Sequence, residues 1–291
     1  MALARRTFLI VNPTSGSYSQ SRIAQVMAAL SLSGLDPELL PTGNPQDATL
    51  FAARICAEVS DPLVLVAGGD GTVNGVLNGL VPGVATLGVI PLGTSNVLAR
   101  ELKIESLDDA LGRVARGASR PISIGELECS GQVRRFLLMA GVGVDGAVVQ
   151  GVRLGEKRLV GRGAYLLSAL RVLFGWDKGL LQVTGGGRTL SCHSVIVCNA
   201  ANYAENFLLA PGGDLFSPGF QALCIRGGRF TYLKLALLLP LGRVAVSRSV
   251  ISLQATELEV SGNKAVQLDG DFFGFAPLRL RAIPNFVRLI A

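Results

Sequence analysis

Pro62-Leu63-Val64-Leu65-Val66-Ala67-Gly68-Gly69-Asp70-Gly71-Thr72 is the stretch on which the reading of the fold turns. An apolar run of strand length ends in glycines, one carboxylate and one hydroxyl, and a helical pattern follows over residues 73–80. Glycine permits close backbone approach and dihedrals closed to other residues. Successive backbone N–H groups in such a turn can form an anion-binding nest. The helix that follows points its positive N-terminal end at the same place. Asp70 adds a carboxylate there, placed to orient Mg²⁺ or to help activate a hydroxyl. The alternative is a plain β-to-α turn whose Asp caps the helix. These residues alone leave both readings open.

Outward from this turn the chain alternates regularly. Residues 7–11, 38–40, 63–67 and 86–90 read as strands, and 23–30, 45–59, 73–80 and 95–102 as helices. A further helix starts at Ser106, with Asp109 at capping-box spacing. The pattern predicts an α/β domain with a doubly wound, mostly parallel sheet. Ligands of such sheets bind at the carboxyl ends of the strands. After about residue 120 the grammar changes. Segments 122–128, 134–141, 180–183, 194–199 and 220–225 read as strands, separated by turns such as Gly185-Gly186-Gly187 and interrupted by one helical stretch, 163–174. A β-rich sandwich domain is expected, giving domains at 1–121 and 122–291, with the C-terminal segment free to return to the first domain.

The chain has 291 residues, 49% hydrophobic and 16% charged, enough for two globular cores. A net charge of +6 favours anionic partners such as nucleotide phosphates or lipid headgroups. Aromatics are only 6% and no basic run interleaves with them, so nucleic acid is not expected. Cys56, Cys129, Cys192, Cys198 and Cys224 form no C-x-x-C pair, and all but Cys129 have apolar neighbours. Free thiols in a reducing cytoplasm fit them better than disulfides or zinc. His193, the only histidine, lies in a strand-like run and reads as a core or edge residue. The apolar start of the chain reads as a first strand rather than a secretory segment. The run 233–241 is interrupted by Lys234 and Pro240 and is too short to span a bilayer.

Three strand ends carry polar or glycine-rich text: Asn12-Pro13-Thr14-Ser15-Gly16-Ser17, the turn at 68–72, and Pro91-Leu92-Gly93-Thr94-Ser95-Asn96. Each alone suits an ordinary cap or turn. Together they can converge on one crevice. No G-x-x-x-x-G-K-S/T and no G-x-G-x-x-G after the first strand occurs, which argues against a P-loop or a standard dinucleotide site. Far along the chain, Gln267-Leu268-Asp269-Gly270-Asp271 reads from spacing alone as a hairpin turn.

The ordered set Asn-Pro-x-Ser-Gly (12–16), Gly-Gly-Asp-Gly-Thr (68–72), Pro-Leu-Gly-Thr-x-Asn (91–96) with Ala99-Arg100, and Asp-Gly-Asp (269–271) resembles the diacylglycerol-kinase catalytic family of soluble lipid kinases. That family includes bacterial diacylglycerol and phosphatidylglycerol kinases and the sphingosine and ceramide kinases. The glycine turn alone is shared with NAD kinases and phosphofructokinases, and that is the fold the first domain is expected to have. Gly141-Val142-Gly143-Val144-Asp145 and residues 157–165 also match the family's middle region. The resemblance implies an ATP- and Mg²⁺-dependent kinase acting on a membrane lipid, diacylglycerol by default, at the cytoplasmic membrane surface. A different lipid alcohol and a non-catalytic relative are the alternatives. It implies nucleotide contacts at Asn12, Ser15, Gly16, Thr42, Gly68, Gly69, Asp70, Gly71, Thr72, Asn74, Thr94 and Asn96. It makes Asp271 the base for the substrate hydroxyl, where most bacterial relatives have Glu, with Asp70 as the second catalytic residue. No protein ligands for a metal are assigned, and a homodimer is compatible with this reading.

Three departures stand out. Gly75 replaces a usual Glu, and Val97 replaces a common acidic residue. Pro218-Gly219-Phe220-Gln221 replaces an Asp-Gly-x-Leu segment that holds a structural Mg²⁺ in bacterial members, and the glycine triplet upstream reads Glu205-Asn206-Phe207. Between Asp214 and Glu257 no acidic residue occurs, while Arg226, Arg229, Lys234, Arg243 and Arg248 do. Arg153, Lys157, Arg158 and Arg162 form another basic cluster. Such mixtures suit either a solvated face or docking on an anionic membrane.

Overall fold

The structure, a computed structural model, describes residues 5–153, 155–156, 161, 163–204 and 207–291. Lys157, Arg158 and Arg162 of the second basic cluster, and Glu205-Asn206, lie outside the described residues. The chain divides into two compact units. The first comprises the chain up to Ser123, a short piece at Ala204, and Pro284–Ala291. The second comprises Ile124–Tyr203 and Phe207–Ile283.

In the first unit the elements run β1 (Thr7–Val11), α1 (Gln20–Leu32), β2 (Glu38–Pro41), α2 (Asp47–Glu58), β3 (Leu63–Gly68), α3 (Asp70–Gly79), β4 (Thr86–Pro91), α4 (Val97–Glu101) and α5 (Leu107–Arg116). The strands lie in the parallel order β2-β1-β3-β4, with Leu9 opposite both Leu39 and Leu65. The end of the last strand, Leu278–Ile290, adds beside β4 with Arg288 opposite Thr86. β1 and β3 are buried along their whole length, as strands covered on both faces must be. On one face Leu9, Leu65 and Ile90 pack against Val26 and Leu30 of α1 and Val114 of α5. Ser106 caps α5 by accepting the N–H of Asp109 at 3.1 Å, as the spacing predicted. In this order the chain leaves β1 toward one edge and β3 toward the other. The switch between them opens a crevice at their carboxyl ends.

The second unit is a sandwich. One antiparallel sheet has the order β14-β13-β10-β7-β16-β17, formed by Val250–Ala255, Phe220–Ile225, Ser194–Cys198, Met139–Val142, Ala265–Leu268 and Asp271–Phe275. Against it lie β15 (Glu257–Ser261), β8 (Leu181–Gly185), β9 (Arg188–Cys192) and the first part of β18 (Leu278–Ile290), with the hairpin of β5 (Ser119–Cys129) and β6 (Gln132–Phe136). Phe136, Phe220, Val142, Val183, Val197 and Leu258 fill the space between the layers. Gly186 and Gly187, both at positive φ, make the two-residue turn from β8 to β9. The short pair β11 (Asn202–Tyr203) and β12 (Phe207–Leu208) completes the strands.

Three features differ from the sequence reading. The expected strand over 134–141 is two, β6 and β7, for a reason given below. The helical stretch Gly163–Phe174 is not alone in the second unit: α6 (Val144–Gln150) precedes it, and a further helix, Arg229–Leu238, follows. In chain order these last two are α7 and α8. Cys129 is buried, its thiol donating to the carbonyl of Phe275, so its polar sequence neighbours misrepresent its surroundings. All five cysteines are free. Among the described residues no helix is long and apolar enough to cross a membrane.

His193 is buried at the corner between β9 and β10. Its Nε2 lies 2.6 Å from the carbonyl of Asp177 and 3.0 Å from Lys264 Nζ, and its Nδ1 lies 3.1 Å from Ser194 Oγ and 3.1 Å from Tyr232 OH. Trp176 stacks on the imidazole at 4.3 Å. Burial, and then the neighbouring ammonium, hold the imidazole below its ordinary 6.5. The folded chain therefore resists a proton that the unfolded chain accepts. The resulting stability is fully present above pH 6.5 and is lost as pH falls through the lowered value. Unfolding midpoints in urea should fall on acidification through this window. His193→Gln should flatten that slope, and an unchanged slope in the variant would remove His193 as its source.

Candidate active site

The three strand-end motifs of the first unit meet. Asn12 Nδ2 donates to Thr72 Oγ1 at 3.1 Å, tying the end of β1 to the first turn of α3. Asn12 Oδ1 accepts the N–H and hydroxyl of Thr14, which folds the 12–16 loop back on itself. The N–H of Ser17 donates to the carbonyl of Leu92 at 2.9 Å. A Cβ on Gly16 would meet Thr94 Oγ1 at 2.9 Å. The glycine turns after β3 and β4 touch: a Cβ on Gly93 would meet the Cα of Gly69 at 2.5 Å. Only glycine at both positions lets the two backbones pass. Asn96 accepts the Gly93 N–H and donates to the Gly93 carbonyl, closing the 93–96 turn. It does so in the left-handed region, at φ 48°, which Asn tolerates better than most residues.

Asp70 sits at the centre of this arrangement. Its two carboxylate oxygens accept the N–H groups of Val97 and Leu98 at 3.0 and 3.1 Å. These are the orphan donors of α4, and Asn96, occupied with Gly93, makes no side-chain cap for them. Asp70 thus caps a helix, but the one after β4 rather than its own. The predicted helix start at residue 73 moves back to Asp70, so Asp70 and Gly71 belong to its first turn. Space is open around Gly71.

The remaining expected positions are spread around the crevice. Just after β2, the Thr42 N–H donates to the carbonyl of Val11 at the end of β1. The Ser15 N–H turns back to the carbonyl of Asn12, and Gly68 packs on the Thr72 side chain. Asn74 is buried along α3, where its side-chain oxygen accepts from Asn78 Nδ2 at 2.9 Å. Gly75 faces α2: a Cβ there would lie 3.0 Å from the Ala48 Cβ, a tight approach of α3 to α2.

In the second unit, residues 269–271 are a hairpin turn and more. Asp269 at φ 48° and Gly270 at φ 93° form the two-residue link between β16 and β17, with Leu268 opposite Asp271. The Asp269 carboxylate accepts three backbone N–H groups, from Leu137 at 2.7 Å and from Leu138 and Met139 at 2.9 Å. Those donors turn away from a strand partner, which is why the predicted strand 134–141 breaks between β6 and β7. Asp271 opens β17 with its side chain 65% exposed, and the Arg134 guanidinium lies 3.5 Å from its carboxylate.

The diacylglycerol kinase catalytic domain matches residues 6–127, and the YegS C-terminal NAD kinase beta sandwich-like domain matches residues 139–291. A diacylglycerol kinase of Bacillus subtilis is 30% identical over 94% of this chain and 92% of its own length. One from Staphylococcus aureus is 27% identical over 99% of this chain and 93% of its own. This chain belongs to the diacylglycerol kinase catalytic family. It is a kinase. A solved Bacillus anthracis structure described as a diacylglycerol kinase shares the fold at TM-score 0.74 and 19% identity, covering 98% of this chain and 96% of that one.

Within this family frame, the stretch Gly141 to Gly146 acquires a structural meaning. Asp145 is buried against β7, and a Cβ on Gly141 would collide with its carboxylate. Tyr203 OH and Gln267 Nε2 each donate to Asp145 at 2.6 Å, and Gln267 Oε1 accepts the N–H of Gly270 at 2.7 Å. A buried chain of bonds therefore runs from α6 to the turn that presents Asp271. Burial pushes the Asp145 carboxyl above its ordinary range, partly offset by its two donors. Sequence reading placed Asp145 in a family motif and Gln267 in the late turn segment, but missed Tyr203 and the bonds that join all three, which no local signal marks. Near Pro218, Asp214 accepts the Phe216 N–H and the Ser217 hydroxyl. Among the described residues no group of three or more His, Cys, Asp or Glu is placed to hold a metal.

The capping geometry makes Asp70→Asn more than an isosteric change. The new amide must point a donor at one of two backbone donors. The variant should lose about 1–3 kcal/mol of stability, the usual cost of an unmatched buried polar group. Thermal unfolding measures this, and an unchanged midpoint would show that the clamp contributes nothing.

Proposed function

We propose that this kinase transfers the γ-phosphoryl group of ATP to the hydroxyl of a membrane lipid, with diacylglycerol as the first acceptor to test. The observation that carries the reading is the convergence of the three strand-end motifs on the N-terminus of α3, in a chain matched over residues 6–127 by the diacylglycerol kinase catalytic domain. The names of the relatives favour diacylglycerol. The glycine cradle suits a polyphosphate: Gly69 and Gly93 let the two turns come into backbone contact, and the space at Gly71 is open.

In this reading the N–H groups of residues 69–71 bind phosphate oxygens, aided by the positive end of α3. Asn12, Ser15, Gly16, Thr42, Gly68, Thr72, Thr94 and Asn96 shape and line the nucleotide crevice, and Asn74 supports α3 from beneath. Bound ATP with Mg²⁺ supplies the transferable phosphoryl group and the charge neutralisation that such transfer needs. Asp70 uses two acceptor sites on Val97 and Leu98, and its remaining lone pairs are available to a phosphate-borne Mg²⁺. Few carboxylates are required, because Mg²⁺ is commonly held by one or two of them plus substrate phosphates. In this role Asp271 would take the proton of the acceptor hydroxyl as the hydroxyl oxygen bonds to the γ-phosphorus and the bond from that phosphorus to the bridging oxygen breaks, releasing ADP. The product is a lipid phosphomonoester. The acceptor reaches the enzyme from an anionic membrane surface to which the protein attaches peripherally.

The test is turnover of ATP with Mg²⁺ and a panel of lipid alcohols: diacylglycerol, phosphatidylglycerol and a sphingoid base. One lipid should be phosphorylated, and chelating Mg²⁺ should abolish the reaction. Asp271→Asn should lower kcat roughly 100- to 10,000-fold, the usual worth of a general base, while nucleotide binding persists. Asp271→Glu should retain turnover. If Asp271→Asn left kcat unchanged, the 269–271 segment would be a turn only.

A further inference from the structure

The helix α8, Arg229–Leu238, has apolar side chains on both sides. Its inner side is already satisfied. Leu235 is buried, and Tyr232, Leu238 and Leu239 pack with it on Ile196, Leu223, Ile225 and Val250. Its outer side should then be polar, as on an ordinary surface helix. It is not. Phe230 is 72% exposed, Leu233 46%, Leu237 75%, and Leu241, just beyond the helix, 66%. Their spacing puts Phe230, Leu233 and Leu237 on one stripe. A contiguous apolar stripe on a surface marks a partner.

The charge around the stripe says which partner. Arg229 and Lys234 share the exposed side of the helix, and Arg226 and Arg243 flank its ends. The Arg229 guanidinium lies 5.2 Å from the centre of the Phe230 ring, so a cation rides on an apolar anchor. No acidic residue occurs from 215 to 256 to oppose an anionic surface. A helix of 10 residues cannot span a bilayer, but lying in the interface it can sink an apolar face while its cations stay among headgroups.

We propose that the outer face of α8 is a membrane-insertion surface, in which Phe230, Leu233, Leu237 and Leu241 enter the acyl boundary of an anionic bilayer. The cations alone would only hover in the headgroup layer; the apolar side chains give the contact depth. The inference rests on the lipid-acceptor reading above and names the element by which the enzyme reaches that lipid.

The experiment is sedimentation of the full chain, without ATP, with phosphatidylcholine vesicles and with vesicles that also contain phosphatidylglycerol. Wild type should bind the mixed vesicles better, and added salt should weaken that binding. Combined Phe230→Ser and Leu237→Ser should weaken it at least about tenfold, given the apolar area withdrawn. Leu32→Ser, on an equally greasy exposed site of α1 (91% exposed), should not. A Phe230→Trp variant should gain emission quenched by lipids brominated in their acyl chains. Circular dichroism confirms folding of each variant. Absence of that quenching, or equal binding by the double variant, would overturn the proposal. So would a concentration-dependent dimer that the double variant abolishes, because a second copy would then cover the stripe. Failure of the lipid panel with vesicle insertion intact would count against the kinase substrate alone. A wild-type protein that fails to insert yet turns over a short-chain soluble lipid would count against this inference alone.

Discussion

The first unit depends on one carboxylate and two backbone N–H groups. Asp70, in the turn after β3, holds the start of α4, after β4, through Val97 and Leu98. Parallel strands place their loops side by side, but side-by-side loops need not stay together. Here a charged acceptor supplies the missing cap of a five-residue helix, a stronger bond than a neutral cap would give. The contact of Gly69 with Gly93 then follows, because the two turns are drawn in until their backbones touch. Asn12 on Thr72 and Ser17 on Leu92 add the third loop. The phosphate cradle proposed for this crevice requires donors fixed before the ligand arrives, and these bonds hold the turns that carry them.

The second unit repeats the device with other residues. Asp269 binds three N–H groups at 137–139, and Gln267 binds Gly270 while also holding buried Asp145. The exposed Asp271 therefore stands on a turn held from two sides. In the base role proposed above for Asp271, such support would matter, since small misplacements of a reacting group cost much of its rate. In both units a loop acid does structural work beside the chemistry assigned to its motif.

Much of this was legible in the sequence. The alternation of buried strands and helices announced the parallel sheet, and the three polar strand ends announced where its crevice lies, because both signals are local and periodic. The Ser106 cap and the Gly186-Gly187 turn were readable for the same reason. What escaped depends on distant partners. Nothing near residue 137 tells that its N–H bonds a carboxylate 132 positions later, so β6 and β7 read as one strand. The helices at Val144–Gln150 and Arg229–Leu238 were missed for different reasons: glycines obscured the first, and apolar residues on every side erased the periodicity of the second. The departure at Gly75 was legible as a replaced Glu, but the tight approach of Ala48 to it was not, because that partner lies on another helix.

The central claim is that the Asp70 clamp preforms a triphosphate cradle at the N-terminus of α3. A crystal structure with a non-hydrolysable ATP analogue and Mg²⁺ tests it most directly. The account predicts phosphate oxygens on the N–H groups of residues 69–71, with Asp70 still bonded to Val97 and Leu98. A nucleotide bound away from this turn, or an Asp70 that leaves both N–H groups when the nucleotide binds, would contradict it.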